Sequence, residues 1–174
     1  MYVMMRIRPL LKLLPFIVLL MAVGCTMNTP VQGKGEAYLQ GEWQQDNIPG
    51  ERKLLNYSLS KFRFTCDSFY IAINTISRVN SGADSCMNKG RWTEYIKGRY
   101  EQTGDALHLR GVFVNADGSL KDNKTCFRFG PYETYYKVET RNDSLLTFSS
   151  STTVLPIQAR LVKRITCTPK ALQY

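Results

Sequence analysis

The chain has 174 residues, 23 Lys and Arg against 14 Asp and Glu, a formal net charge of +9 and a single histidine. That balance would suit a nucleic-acid partner, but the basic residues are scattered through strand-like segments rather than clustered on one stripe, which argues against one. No charge block, repeat or low-complexity stretch interrupts the chain, so length and composition point to one folded domain with a real core.

Residues 1–24 stand apart. Arg6 and Arg8 precede an apolar run, Leu10–Val23, that Lys12 and Pro15 make too short and too interrupted for a good spanning helix. The run ends in Ala22-Val23-Gly24-Cys25, small residues before a cysteine, and resembles the lipobox of bacterial lipoproteins. The resemblance implies a signal peptide over 1–24, cleavage before Cys25 and palmitate-type acylation of Cys25, with several acyl chains making the membrane anchor stable. Without residues 1–24, which carry three of the basic residues and no acid, 150 residues remain with a charge of +6. Residues 25–35 are expected to be the lipidated cysteine and a polar tether containing Pro30, Gly33 and Gly35. Residues 36–174 are expected to be a single domain in the envelope of a Gram-negative bacterium. Thr26-Met27-Asn28 lacks the acidic residues associated with surface export, so the domain is expected to face the periplasm.

Beyond the tether the pattern is β throughout. In 91–101, Trp92, Ile96 and Tyr100 share one face and Arg91, Thr93, Lys97, Arg99 and Glu101 the other, the period of a half-buried strand. Thr103-Gly104-Asp105 turns the chain, and Leu107, Leu109 and Phe113 then alternate with His108 and Arg110. Similar runs occupy 39–45, 61–66, 68–75, 124–129, 133–140, 144–149 and 157–167, with Arg141-Asn142-Asp143 as a hairpin loop. Eight to nine short strands at this spacing predict an all-β sandwich or antiparallel barrel. Gly41-Glu42-Trp43 at the head of the first strand resembles the G-x-W signature of lipocalins and other calycins. That resemblance implies a barrel closed at one end by Trp43, under a basic residue of the last strand. Arg160, Lys163 and Arg164 are the candidates, with Arg164 preferred.

Apart from Cys25, four cysteines remain: Cys66, Cys86, Cys126 and Cys167, at gaps of 20, 40 and 41 positions. No close C-x2-C pair suggests zinc, and an even number in an oxidising compartment predicts two disulfides. Cys66–Cys86 with Cys126–Cys167 is the expected pairing, ahead of the other two connectivities.

The segments Tyr38-Leu39-Gln40-Gly41, Phe64-Thr65-Cys66-Asp67-Ser68, Asp84-Ser85-Cys86 and Trp92-Thr93-Glu94-Tyr95 carry a further resemblance. They are similar to a family of small Bacteroidota lipoproteins, from about Tyr38 to Pro169, whose members often bear the name fumarate hydratase. The name implies an enzyme, but the residues of that chemistry are absent. Ser149-Ser150-Ser151 is not followed by the Met-Pro, Lys and Asn of a class II fumarase loop, and the cysteines are not spaced for a cluster. His108 is expected on an exposed strand face, and no G-x-S-x-G elbow offers a nucleophile. Lys97, Arg99, Tyr95, Arg63, Tyr135 and Lys137 would bind an anion if they faced inward. As strand residues beside aromatics they are expected to line the solvated outer face. Ser77–Gly90, polar and glycine-containing, is expected at the barrel mouth, where ligand contacts gather. Asp143-Ser144-Leu145 resembles the short O-glycosylation acceptor of Bacteroidota. No catalytic residue, metal ligand or cofactor emerges. The leading expectation is a non-enzymatic binding module for a small or lipidic ligand or a partner protein. The alternatives are an enzyme and a filled structural or inhibitor-type barrel, and a cavity would favour the first.

Overall fold

A computed structural model describes residues 32–79, 84–122, 126–151 and 155–169. Eight strands close into one antiparallel barrel in simple sequence order. They are β1 (Gly41–Gln45), β2 (Asn56–Thr65), β3 (Ser68–Ser77), β4 (Arg91–Thr103), β5 (Ala106–Val114), β6 (Pro131–Arg141), β7 (Leu145–Ser149) and β8 (Ile157–Arg164). β8 returns to pair with β1, so no edge is left unpaired. One helical turn, α1 (Asp84–Met87), precedes β4.

Period-two patterning decides which residues fill the barrel. Phe62 and Phe64 of β2, Phe69 and Ile71 of β3, Ile96 and Tyr100 of β4, and Leu107 and Leu109 of β5 are all buried in one cluster with Trp43. The alternate residues Arg63, Lys97, Arg99 and Arg110 are exposed. Gly98 and Gly111 face each other across β4 and β5. A Cβ on Gly98 would lie 2.1 Å from the Arg110 carbonyl oxygen, and one on Gly111 2.2 Å from that of Lys97. Only glycine allows this close approach, which bends the wall toward closure.

An up-and-down barrel sends its turns alternately to opposite ends. The tight turns β2–β3, β4–β5 and β6–β7 cluster at one end with Trp43, and the long connections 46–55, 78–90, 115–130 and 150–156 at the other. This arrangement corrects the expected disulfides: the bonds are Cys66–Cys167 and Cys86–Cys126. Cys66 lies in the β2–β3 turn and Cys86 in the β3–β4 connection, so the ten residues of β3 separate them. At about 3.3 Å per residue that is roughly 30 Å, far beyond disulfide reach. Each bridge instead ties together segments of one end.

The expected strand at 124–129 is also not present in its described part. Residues 126–130 form a loop, with Phe127 at φ 63° and Gly130 at φ 83°. The left-handed residues and the Cys126 bridge turn the chain where a strand would have run straight.

Candidate ligand-binding cavity

The two ends of the barrel differ in kind. At the narrow end Trp43 is 1 % exposed and donates its indole Nε1–H to the Leu39 carbonyl at 2.8 Å. The Arg164 guanidinium lies 5.6 Å from the Trp43 ring centroid. It also donates to the carbonyls of Tyr38 at 3.1 Å and Asp143 at 2.7 Å, joining three segments over the indole. A bulge brings it there. Gly41 pairs with Arg164 and Glu42 with Lys163, but Trp43 pairs with Leu161, so Val162 is an extra residue on β8. Arg160 is instead held by Asp46 at 2.9 Å.

The same end is sealed around Cys66. The Gln40 side chain accepts from Cys66 N–H at 2.6 Å and donates to Cys66 C=O at 2.9 Å, and the Tyr100 hydroxyl donates to that carbonyl at 2.7 Å. Burial, partly opposed by the hydrogen bonds from Glu36 N–H and Gln40, pushes the Tyr100 phenol up to about 12. Gln32–Glu36 lie against this end: Gly33 N–H donates to Asp67 Oδ2 at 2.9 Å and Glu36 N–H to the Tyr100 hydroxyl at 2.9 Å. Ordered structure therefore reaches into the segment expected to be tether.

The wide end opens into a cavity of about 1100 Å³. Its position follows from where the large apolar side chains stop. Tyr132, Tyr136 and Ile73 pack against the core and separate it from the opening. Around the cavity, β1 and β2 present Gln45, Ser58 and Ser60, and β6 presents Tyr132, Thr134 and Tyr136. In a closed eight-stranded barrel β2 and β6 are four strands apart, on opposite sides. Ile73 and Phe113 lie between these polar walls on one side and Ile157 on the other. Gln45 Oε1 accepts from Ser60 N–H at 2.9 Å, and Ser58 Oγ shares a hydrogen bond with Thr75 Oγ1 at 2.8 Å.

The charges around the cavity are internally matched. Glu94, on the inward face of β4 with Ile96 and Tyr100, is 5 % exposed. Arg128 Nε donates to its Oε1 at 3.0 Å and Nη2 to its Oε2 at 2.8 Å, while Arg128 N–H donates to Oε1 at 3.1 Å. Burial raises the Glu94 carboxyl, but the Arg128 hydrogen bonds and charge together outweigh it and leave the group below its ordinary value. The guanidinium also lies 5.0 Å over the Phe113 ring. Burial is the main cause that raises the Tyr132 and Tyr136 phenols, so both stay protonated near neutrality.

The other expected residues fall outside the cavity. His108 is on the outer face, bonded through Nε2 to Glu133 Oε1 at 2.7 Å and stacked 4.0 Å from the Tyr135 ring. Arg63, Lys97, Arg99, Tyr135 and Lys137 are exposed, and Tyr95 stacks on Tyr70 outside the wall. Ser77–Gly90 does stand at the wide end, but none of its described residues lines the cavity; Cys86 ties it to the β5–β6 connection. Asp143, Ser144 and Leu145 form the β6–β7 turn at the narrow end, with Ser144 exposed. Cys25 and the signal-like segment lie outside the described residues. No metal-binding cluster of His, Cys, Asp or Glu occurs among the described residues.

Sequence reading missed Gln45, Ser58, Ser60, Glu94, Arg128, Tyr132, Thr134 and Tyr136. A signal existed for all of these except Arg128, because each shares the parity of buried residues on its own strand. No family model matches this chain, and no curated protein matches it.

Proposed function

We propose that this protein is a lipid-anchored envelope lipoprotein, acylated at Cys25, whose barrel binds a small or lipidic molecule at its wide end without catalysing a reaction on it. The cavity of about 1100 Å³ carries this reading, since a filled structural barrel would have no such space. Its lining combines apolar sides with a few converging polar groups, the usual make-up of a binding pocket. The signal-like segment and the lipobox resemblance support the anchor, and the two disulfides accord with an exported chain.

The barrel domain, Gln32–Pro169, contains all eight strands and their core and is a compact unit by itself. It can therefore be tested alone. Uptake of the neutral dye N-phenyl-1-naphthylamine should raise its fluorescence, and Ser58→Trp, which fills the opening, should abolish that rise. Uptake unaffected by Ser58→Trp in a folded variant would refute binding in the cavity.

A further inference from the structure

The charge pattern of the cavity says more about its ligand than its size does. Among the described residues three charged ones border it, and each has an opposite partner. Arg128 is held by Glu94 and Asp46 by Arg160 at 2.9 Å, while the Glu133 side chain turns to the outer face and is held there by His108 at 2.7 Å. Among the described residues an incoming carboxylate or phosphate would meet no uncompensated cation, and it would have to give up water to enter. The other polar groups of the described lining are uncharged. Ser58 and Ser60 stand on β2, while Tyr132, Thr134 and Tyr136 stand across the barrel on β6. Hydroxyls both donate and accept, so two facing walls of them match a molecule with hydroxyl groups on opposite edges. Ile73, Phe113 and Ile157 leave apolar surface between those walls for the faces of such a molecule.

We infer that the cavity selects an uncharged, hydroxyl-bearing ring compound, such as a sugar or the sugar head of a glycolipid, over anionic lipids. This rests on the cavity-binding reading above and assigns its ligand class. Glu94 is the residue that sets the selectivity, because its carboxylate cancels the Arg128 cation that reaches the cavity from the β5–β6 connection. A carboxamide at that position would keep the shape and release the charge. The protonated phenols of Tyr132 and Tyr136 supply donors without adding charge.

The test uses displacement of N-phenyl-1-naphthylamine from the Gln32–Pro169 domain. The competitors are octyl glucoside, octanoate and octyl phosphate, all below their micellar concentrations. The shared tail makes the difference a measure of the head group. Octyl glucoside should displace the dye at a concentration at least about tenfold lower than either anion, as expected when burying an uncompensated charge is the alternative. Tyr132→Phe and Thr134→Val should each weaken the glucoside about three- to tenfold, the effect of one neutral hydrogen bond. Dye uptake by each variant, measured alongside, is the reference against which that loss is read. Glu94→Gln should tighten octanoate and octyl phosphate about tenfold or more by freeing Arg128 for them. Methyl glucoside separates the two sources: displacement by it as well points to a free sugar, and displacement by the octyl compound alone points to a glycolipid. Anions that compete as well as the glucoside, or a folded Glu94→Gln variant that gains nothing for them, would overturn the inference while leaving the cavity intact. A folded wild-type domain that takes up no dye would instead overturn cavity binding itself.

Discussion

Tyr100 shows how much one hydroxyl can organise. It donates to the Cys66 carbonyl and accepts from Glu36 N–H and Gln40 Nε2, linking the segment before β1 to the β2–β3 turn. Tyr100→Phe keeps the ring on Phe64 but takes the acceptor from Glu36 N–H and leaves the Cys66 carbonyl and Gln40 Nε2 only each other and the Glu36 carbonyl. It should cost about 1–3 kcal/mol, read as a lower urea midpoint at unchanged slope. The phenol also predicts alkaline behaviour. Its folded pKa of about 12 lies above the ordinary 10.0, so its contribution is complete below pH 10 and is lost as pH rises toward 12. Denaturation midpoints should fall over that window, and less steeply in Tyr100→Phe. Glu94 gives the opposite sign. Its lowered pKa means that the Arg128 pair stabilises above the ordinary carboxylate value and is lost as pH falls through the folded one. In Arg128→Ala the burial remains without its counterion. The Glu94 carboxyl, followed by carbon-13 NMR, should then titrate above rather than below its ordinary value. An unshifted titration would mean that Arg128 is not what holds it down.

At the scale of elements, the two bridges have separate duties. Cys66–Cys167 spans 101 positions at the narrow end and Cys86–Cys126 spans 40 at the wide end. By loop entropy each contributes about 4–5 kcal/mol and about 4 kcal/mol respectively, before any strain. Non-reducing peptide mapping should recover these two pairs and neither Cys66–Cys86 nor Cys126–Cys167. Replacing Cys86 and Cys126 by serine should disturb dye binding more than replacing Cys66 and Cys167, because only the first pair stands beside the opening. β1 and β8 depend on Trp43. Trp43→Ala should cost about 3–5 kcal/mol as a large buried truncation. Arg164→Met keeps much of the stem and should cost less, about 0.5–2 kcal/mol for the lost cation–π contact, with some added for its carbonyl hydrogen bonds.

For the whole molecule, the docked segment Gln32–Glu36 makes the narrow end the place from which the chain continues toward Cys25. If Cys25 is acylated as proposed, Cys25→Ser should leave a precursor that takes up no fatty-acid analogue and is not cut after Gly24. Undiminished labelling of that variant would end the lipoprotein reading. The proposal that the barrel is not a fumarase is checked separately, by the absence of fumarate hydration above background in the purified domain.

Much of this barrel was legible before any tertiary structure. Alternation in 91–101 and 107–113 separates wall from core because a strand's side chains point to opposite faces, whatever the strand pairs with. Gly41-Glu42-Trp43 located a buried Trp at the head of the first strand, and counting cysteines anticipated two bridges. What only the closed sheet decided depends on which end of a strand each residue reaches. Cys66 and Cys86 are neighbours in sequence but stand at opposite ends of β3, so spacing alone led to the wrong pairing. Had the connectivity been traced as a meander, parity of turns would have excluded it. Arg164, the residue preferred from the sequence, does lie over the Trp43 ring, but by a route that the sequence does not show. Continuing the inward series Ile157, Ala159 and Leu161 would select Lys163, and the extra residue Val162 shifts the strand so that Arg164 takes the place over Trp43. A bulge is a property of two paired strands, and one strand's sequence does not contain it. The cavity is likewise a collective feature: Ser58, Ser60, Tyr132 and Thr134 are ordinary strand residues until closure sets β2 against β6, and the Arg128 charge is compensated only when folding delivers it to Glu94.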